Sequence, residues 1–281
     1  MKKVCIVLGS LAFAVVVAAV IWFWNGFSKF MAMEEVKIDP LLTYYSGSGN
    51  SIVLTSQDGK SALVVDTKMR DAARKLRDAV TADDVTIVNT HSHSDHTAGN
   101  ALYPKAKIVA GAYTKEQWEK DSDASRYPDI TLKPGEEKRI TIGSETAVVR
   151  NMGRAHTMND VVVFLENRRI LITGDLVFIN MHPAVKTDSG ASVANWIKAL
   201  DDLKSKHAIQ KLVPGHGPIS NAGALDVQRE YFISIGDATG NREKLAELKK
   251  KYDGYVALPA MTGFDRTARF IENEKKDFEK K

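Results

Sequence analysis

The chain contains 281 residues, of which 44% are hydrophobic and 26% are charged, as in an ordinary globular protein. This length allows one large α/β domain with an added segment. The net charge is only +4 and is spread along the chain, whereas a nucleic-acid-binding surface needs a concentrated basic face. We therefore expect no nucleic-acid partner.

A long apolar segment at the N-terminus predicts a membrane as one partner of the protein. Lys2 and Lys3 precede an uncharged run from Val4 to Phe27, and about 20 helical residues are enough to cross a bilayer core. Near its end the run contains Trp22, Phe23 and Trp24, where a signal peptide would be expected to show its cleavage site. Aromatic residues there are typical of a membrane interface, and the leading lysines favour a cytoplasmic N-terminus.

We predict that residues 1–28 form an uncleaved signal anchor, with a cleaved signal peptide as the alternative, and that residues 29–42 form a tether. Both alternatives place the rest of the chain outside the cytoplasm, either anchored on the periplasmic or extracellular face or secreted. The single cysteine, Cys5, lies within this segment. No intramolecular disulfide can therefore form, and no thiolate can bind a metal in the remaining domain.

The rest of the chain alternates apolar runs with turn signals. Asp58 and Gly59 separate two such runs, which predicts a β-hairpin of Ser51–Thr55 and Ala62–Val65. A helix is predicted to begin at Asp66–Thr67, because apolar residues follow at helical spacing. The later predicted strands are Val85–Val88, Ile108–Ala110, Ile140–Ile142, Thr146–Val149, Val161–Leu165, Ile170–Thr173 and Lys211–Val213, and the later helices are Tyr113–Lys120 and Val193–Lys204.

Five of the seven histidines occur together with aspartates in short segments that each follow a predicted strand. The candidate metal ligands are His91, His93, Asp95, His96, His156, Asp175 and His216. Neutral imidazole and carboxylate are the ligands that zinc and similar divalent metals prefer. Loops at one edge of a sheet core can converge on a common cleft. The sequence therefore predicts a site for two metal ions, with room left for a solvent molecule.

The His-x-His-x-Asp-His motif at residues 91–96, followed in order by the later histidines and aspartate, resembles the metallo-β-lactamase-fold hydrolases over roughly residues 43–220. The resemblance implies an α/β fold, a four-layer αββα sandwich with a binuclear site at the edge between two sheets. Residues 221–281 would complete or extend this domain with helices. The ligand sets that the resemblance implies are His91, His93 and His156 for one metal, Asp95, His96 and His216 for the other, and Asp175 as the bridge.

The resemblance further implies a hydrolase with two Zn²⁺ ions per chain, with iron or manganese as alternatives, that acts on a small-molecule substrate. A zinc-activated hydroxide would attack an ester, thioester, lactone or amide, and Asp95 would also shuttle protons. Asp175 stands where the true β-lactamase subclasses carry cysteine or serine, which leaves β-lactam cleavage as a side activity. The alternatives are a mononuclear iron oxygenase similar to the persulfide dioxygenases and a non-catalytic metal-binding module.

Several further residues have two interpretations each. Asp66 supports a metal ligand, caps the following helix, or does both. His182 contacts the substrate or caps its own loop. Tyr44 and Tyr45 border the cleft or pack in the core, and His207 is expected at the surface.

Overall fold

The computed structural model describes residues 32–206, 208–258 and 261–279. The predicted anchor or signal peptide over residues 1–28 and His207 lie outside the described residues. Among the helices of the described ranges, none is long and apolar enough to cross a membrane. The membrane anchor and the location outside the cytoplasm therefore stay predictions from the sequence.

Twelve strands and seven α-helices make up the described domain. The strands are β1 (Glu35–Asp39), β2 (Leu42–Tyr45), β3 (Ser51–Thr55), β4 (Ser61–Val65), β5 (Asp84–Val88), β6 (Lys107–Gly111), β7 (Ile130–Leu132), β8 (Glu137–Ile142), β9 (Glu145–Gly153), β10 (Asp160–Leu165), β11 (Ile170–Phe178) and β12 (Lys211–His216). The helices are α1 (Arg70–Ala79), α2 (Ser94–Thr97), α3 (Lys115–Ser122), α4 (Val193–Lys206), α5 (Gly223–Ala238), α6 (Arg242–Lys251) and α7 (Phe264–Glu279). Short 3₁₀ helices follow α2 and β10.

The strands form two mixed sheets. The first has seven strands in the order β1-β2-β3-β4-β5-β6-β7, and the second has five in the order β12-β11-β10-β9-β8. In the first sheet, pairing is antiparallel up to β4 and parallel from β4 to β7. In the second, only β11 and β12 are parallel. Because β4, β5 and β6 are parallel, their C-terminal ends lie at the same edge of the first sheet.

Three layers of apolar side chains hold the sheets and helices together. Leu54 and Val65 from the first sheet meet Val163 from the second in a buried cluster between the sheets. On the outer face of the first sheet, Leu76 of α1 packs in a separate cluster. On the outer face of the second, Trp196 of α4 is buried in a cluster shared with α5. This arrangement of two sheets flanked by helices confirms the predicted α/β sandwich.

The structure differs from the predicted elements at two places near the start of the domain. Glu35–Asp39, expected within the tether, forms β1 and pairs with β2 at the edge of the sheet. Helix α1 begins at Arg70 instead of Asp66. Asp66, Lys68 and Arg70 have left-handed backbone conformations with φ of 62°, 60° and 52°, so no regular helix forms between Asp66 and Arg70. The side chain of Asp66 does not cap α1, whose first turn has no side-chain cap. The capping interpretation of Asp66 is therefore wrong.

Candidate metal centre

The seven candidate ligands come together at one edge of the sandwich, where strands of both sheets end. His91 and His93 lie between β5 and α2, and Asp95 and His96 lie in α2. His156 lies in the loop that joins β9 to β10. Asp175 lies within β11, and His216 is the last residue of the neighbouring β12. Their donor atoms form two groups, one of three histidines with Asp175 and one of Asp95 with two histidines.

The first group consists of His91, His93, His156 and Asp175, and all four are buried. Nδ1 of His93 lies 3.0 Å from Nε2 of His91 and 3.0 Å from Nε2 of His156. Oδ2 of Asp175 lies 3.7 Å from Nε2 of His91 and 3.3 Å from Nε2 of His156. Ligands of a tetrahedral zinc ion, at bond lengths of about 2.0–2.1 Å, lie roughly 3.3 Å from one another. The four atoms therefore have the spacing of a tetrahedral metal site.

The second group consists of Asp95, His96 and His216. Oδ2 of Asp95 lies 3.6 Å from Nε2 of His96 and 3.3 Å from Nε2 of His216. The same two nitrogens lie 3.2 Å and 3.4 Å from Oδ1 of Asp175. The second group thus has the same spacing as the first, with Asp175 as its fourth member.

Asp175 faces both groups with different oxygens, Oδ2 toward the first and Oδ1 toward the second. The close approach of β12 makes this placement possible, because a Cβ at Gly215 would collide with Oδ1 of Asp175. A glycine at position 215 lets the strand that ends in His216 pass directly beside the carboxylate. A single carboxylate is thereby shared between the two groups.

The chemistry of these donors fits divalent metal ions. Nε2 of His96 and Oδ1 of Asp175 are buried and have no well-formed hydrogen bond to a described residue. Buried polar atoms are normally paired, so two orphaned atoms that face each other call for a ligand between them. Imidazole nitrogens and carboxylate oxygens without thiolates suit zinc, iron and manganese. The residues therefore fit the metals that the sequence analysis predicts.

The electrostatics of the two groups differ. Burial lowers the pKa of His91 and His93 well below the usual range and that of His156 to about 4, because it disfavours the charged imidazole. These three imidazoles are therefore neutral at pH 7, which is the form that binds a metal. Burial also lowers the pKa of His216, but the negative charge of Asp175 outweighs it and raises the value to about 9.

The two carboxylates stay ionised despite their burial. Burial raises the pKa of Asp95 and Asp175, but the neighbouring histidines His96 and His216 outweigh it and hold both below the usual range. Without a metal, protons on those histidines neutralise the carboxylates. Because metal ligands must be deprotonated, a divalent cation would displace these protons on binding.

Asp66 orients two of the histidines. Its Oδ2 accepts hydrogen bonds from Nδ1 of His96 at 2.8 Å and from the Thr90 hydroxyl at 2.7 Å, and Thr90 Oγ1 lies 3.1 Å from Nδ1 of His91. Since Nδ1 of each ring carries the donated proton, Nε2 of each ring is left as the metal-binding atom. The structure thus places Asp66 beside Nδ1 of His96, where it supports a candidate metal ligand, as one interpretation of the sequence expected.

His93 is oriented by residues that the sequence analysis missed. Its Nε2 lies 3.1 Å from the Ser189 hydroxyl, which donates to Oδ1 of Asp121 at 3.3 Å. The Ser92 hydroxyl donates to the other oxygen of Asp121 at 3.0 Å. A proton on Nε2 of His93 leaves Nδ1 free to face the first group. Ser189 lies 96 residues from His93 along the chain, and no local pattern marks it.

We expect Ser189→Ala to weaken metal binding roughly tenfold, because groups that orient a ligand histidine contribute about this much to metal affinity. The measurement is a zinc titration of the purified protein in competition with a chelator. Ser205→Ala is the matched control, since the Ser205 hydroxyl donates only to a carbonyl on the exposed face of α4. Equal zinc affinity in both variants would contradict this role of Ser189.

A buried lysine, also missed from the sequence, fixes the loop between β2 and β3. Nζ of Lys68 donates to the carbonyl oxygens of Tyr45, Ser46, Gly47 and Gly49 at distances of 3.0, 2.8, 2.8 and 2.5 Å. Burial lowers the pKa of Lys68 to about 7, opposed by the charges of nearby carboxylates. The loop in turn packs on the metal ligands, because a Cβ at Gly49 would touch the His96 ring.

The other residues that the sequence analysis considered near the cleft are His182, Tyr44 and Tyr45. His182 is buried, with its Nδ1 2.7 Å from the Tyr231 hydroxyl and its ring packed near Phe264. A contact between His182 and a substrate stays a prediction from the sequence. Tyr44 lines a cavity beside His216 and also belongs to the buried cluster between the sheets, so both interpretations of it apply. Tyr45 instead packs in the cluster under α1.

Comparison with known proteins identifies the family. The sequence profile of the metallo-β-lactamase superfamily matches residues 44–216. Metallo-β-lactamase IND-1 of Chryseobacterium indologenes is 32% identical over 145 residues, a match that spans 50% of this chain and 59% of that enzyme. A type 2 metallo-β-lactamase of Bacillus cereus is 26% identical over 207 residues, which is 68% of this chain and 77% of that enzyme.

The fold agrees with solved structures. The metallo-β-lactamase from Pontibacter korlensis superposes with a TM-score of 0.61 at 20% identity, covering 71% of this chain and 98% of that one. At this identity the superposition shows a common fold alone. The profile match covers more than half of the chain and includes all seven candidate ligands. The chain therefore belongs to the metallo-β-lactamase superfamily.

Proposed function

We propose that the protein is a hydrolase that binds two zinc ions and cleaves a small ester, thioester, lactone or amide. The observation that carries the proposal is the placement of the Asp175 carboxylate, whose two oxygens face two separate groups of histidines and carboxylate. Two ions held in this way would make a water molecule nucleophilic at neutral pH and would polarise the carbonyl oxygen of the substrate. A hydrolase needs no serine or cysteine nucleophile in such a site.

The candidate ligands divide into one set for each metal ion. His91, His93 and His156 would hold the first ion as neutral imidazoles. Asp95, His96 and His216 would hold the second, with Asp175 shared between the two. A shared anion offsets part of the repulsion between two cations, which a site of histidines alone would not do.

Asp95 is the candidate ligand that reaches solvent, which supports a role in proton transfer as well as in metal binding. The neighbouring His96 and His216 overcome the effect of burial and hold the pKa of its carboxyl well below the usual range, so it is ionised at neutral pH and available as a ligand. Its side chain is 23% exposed, whereas those of His96 and Asp175 are 0% and 4% exposed. A proton taken up by Asp95 can therefore pass to solvent, while the other ligands are shielded from it.

β-Lactam hydrolysis is a second candidate activity, because the relatives IND-1 and the Bacillus cereus enzyme are metallo-β-lactamases. The donor set of this chain favours the first proposal. It has aspartate at position 175 and no cysteine in the described domain. We therefore propose β-lactam cleavage as a side activity.

The test combines metal analysis with a hydrolysis screen on one purified sample of the full chain. We expect two zinc ions per chain and hydrolysis of neutral esters or lactones that stops when a chelator removes the metal and resumes when zinc is added. A single iron ion, with oxygen consumption and no hydrolysis, would replace this proposal with the oxygenase alternative. Two bound ions with no hydrolysis of any ester, thioester, lactone, amide or β-lactam would favour a metal-binding module.

A further inference from the structure

A groove adjoins the metal centre at His216. Of the seven candidate ligands, His216 lines a cavity of about 570 Å³ between β1, the β2–β3 loop and the residues that follow β12. This volume is typical of a small-molecule site. The groove therefore continues outward from the second group of ligands.

Two polar side chains that line the groove, those of Tyr44 and Asn50, have their donors already paired, whereas the buried Ser48 hydroxyl has no hydrogen-bond partner among the described residues. The Tyr44 hydroxyl donates to the carbonyl of Gly217 at 2.9 Å, and the Asn50 amide donates to the same carbonyl at 2.8 Å and to that of Pro214 at 2.9 Å. Burial and the charge of Glu34 raise the pKa of Tyr44 to about 12, which keeps its hydroxyl neutral. These side chains thus use their donors within the protein and offer little to a carboxylate.

The described residues that line the groove include apolar side chains and serine hydroxyls, and its single acidic side chain is that of Glu34. Of the apolar side chains, Val36 is 45% exposed, and Ile219 also lines the groove. No lysine or arginine of the described residues lines it. The groove is therefore suited to an uncharged aliphatic group and repels a negative one.

We propose that this groove binds the acyl chain of the substrate and selects uncharged aliphatic acyl chains over chains that end in a carboxylate. The proposal rests on the proposed hydrolase function. The carbonyl group lies at the metal ligands, and the acyl chain runs past His216 toward Val36 and Ile219. Glu34 at the rim disfavours an anion at the end of the chain.

The kinetic test compares two esters of equal chain length, p-nitrophenyl hexanoate and p-nitrophenyl hydrogen adipate, which differ only in the terminal carboxylate. We expect the full-length, zinc-loaded protein to have a kcat/KM at least roughly tenfold higher for the hexanoate ester. Glu34→Lys should raise the adipate-to-hexanoate ratio of kcat/KM by roughly fivefold or more, since it reverses the charge at the rim. Glu247→Lys, on α6, is the matched control and should leave that ratio unchanged.

A second variant tests the apolar wall. Val36→Ser should raise KM for the hexanoate ester roughly threefold or more with little change in kcat, because it removes apolar contact area. Val227→Ser is the matched control, since Val227 is similarly exposed at 53% but lies on α5. A preference for the adipate ester, or equal effects of the Val36 and Val227 variants, would overturn the proposal.

A binding experiment separates this proposal from the hydrolase function. 2-Heptanone carries the same five-carbon alkyl chain as the hexanoyl group but cannot be hydrolysed, and 6-oxoheptanoate differs from it only by a carboxylate in place of the terminal methyl group. We expect 2-heptanone to shift the methyl NMR signals of Val36 and Ile219, and 6-oxoheptanoate to leave them unshifted at equal concentration. Shifts with 6-oxoheptanoate alone, or with neither compound, would overturn the groove proposal. Inactivity toward all esters would instead count against the hydrolase proposal.

Discussion

Asp175→Asn is expected to lower kcat by roughly two to three orders of magnitude and to cause the loss of the second metal ion before the first. The amide has the size of the carboxylate but only one oxygen and no charge. It can serve one group of ligands while presenting its NH₂ to the other. The first group retains three buried imidazoles, whereas the second is more open to solvent through Asp95. The second site therefore depends more on the shared anion.

Metal titration against a chelator, with kcat and KM measured on the same samples, tests this expectation. The decrease in activity should appear mainly in kcat, because the charge of Asp175 positions the reacting groups more than it binds the substrate. Asp253→Asn, in an exposed turn after α6, is the matched control. Two tightly bound ions together with wild-type turnover in the Asn variant would show that Asp175 does not bridge.

The position of the candidate metal centre could be predicted from local sequence patterns. Apolar runs of β-branched residues predicted strands β3–β6 and β8–β12 approximately, because such runs suit buried sheets. Each cluster of histidine or aspartate followed one of these runs along the chain. The structure extends β11 through Asp175 and β12 to His216, so that two of the ligands lie on strands instead of in loops. Strands hold a side chain more rigidly than loops do, which suits a preformed metal site.

The contacts that support the ligands could not be predicted from the sequence. Ser189 and Asp121 meet across 68 residues, and nothing in either neighbourhood marks the contact. A lysine at the start of an amphipathic helix is normally solvent-exposed, yet Lys68 is fully buried. Its burial depends on four carbonyl groups that only the folded β2–β3 loop brings together.

The contacts of His182 depend on residues that lie far from it along the chain. His182 follows Asp175 by seven residues, which suggested a place beside the metals. After β11 the chain turns away through Asn180, whose φ is 54°, and Met181 pairs with Val256. His182 is thereby carried into the aromatic cluster of the C-terminal helices, where its Nδ1 contacts Tyr231.

Lys68→Met is expected to lower the free energy of unfolding by about 3 kcal/mol, because several buried carbonyl groups lose their donor. Methionine has nearly the length of lysine and fills the same space, so the cost of a cavity is small. Replacing the ammonium group also removes the free-energy cost of burying its charge. This cost is the reason why burial lowers the pKa of Lys68 to about 7. The three N–H donors shared among four carbonyl oxygens at 2.5–3.0 Å outweigh that gain, since each unsatisfied buried carbonyl costs about 1–3 kcal/mol.

Urea unfolding followed by far-UV circular dichroism measures the effect, once with zinc and once with a chelator. Because the loop that Lys68 holds packs on His96, the variant should also bind zinc more weakly. The loss of stability should persist in the chelator, since the carbonyl contacts do not involve the metal. Lys105→Met, at an exposed position before β6, is the matched control. If the Met variant were as stable as wild type under both conditions, the cost of burying the ammonium would equal the gain from its four carbonyl contacts, and Lys68 would contribute no net stability to the loop.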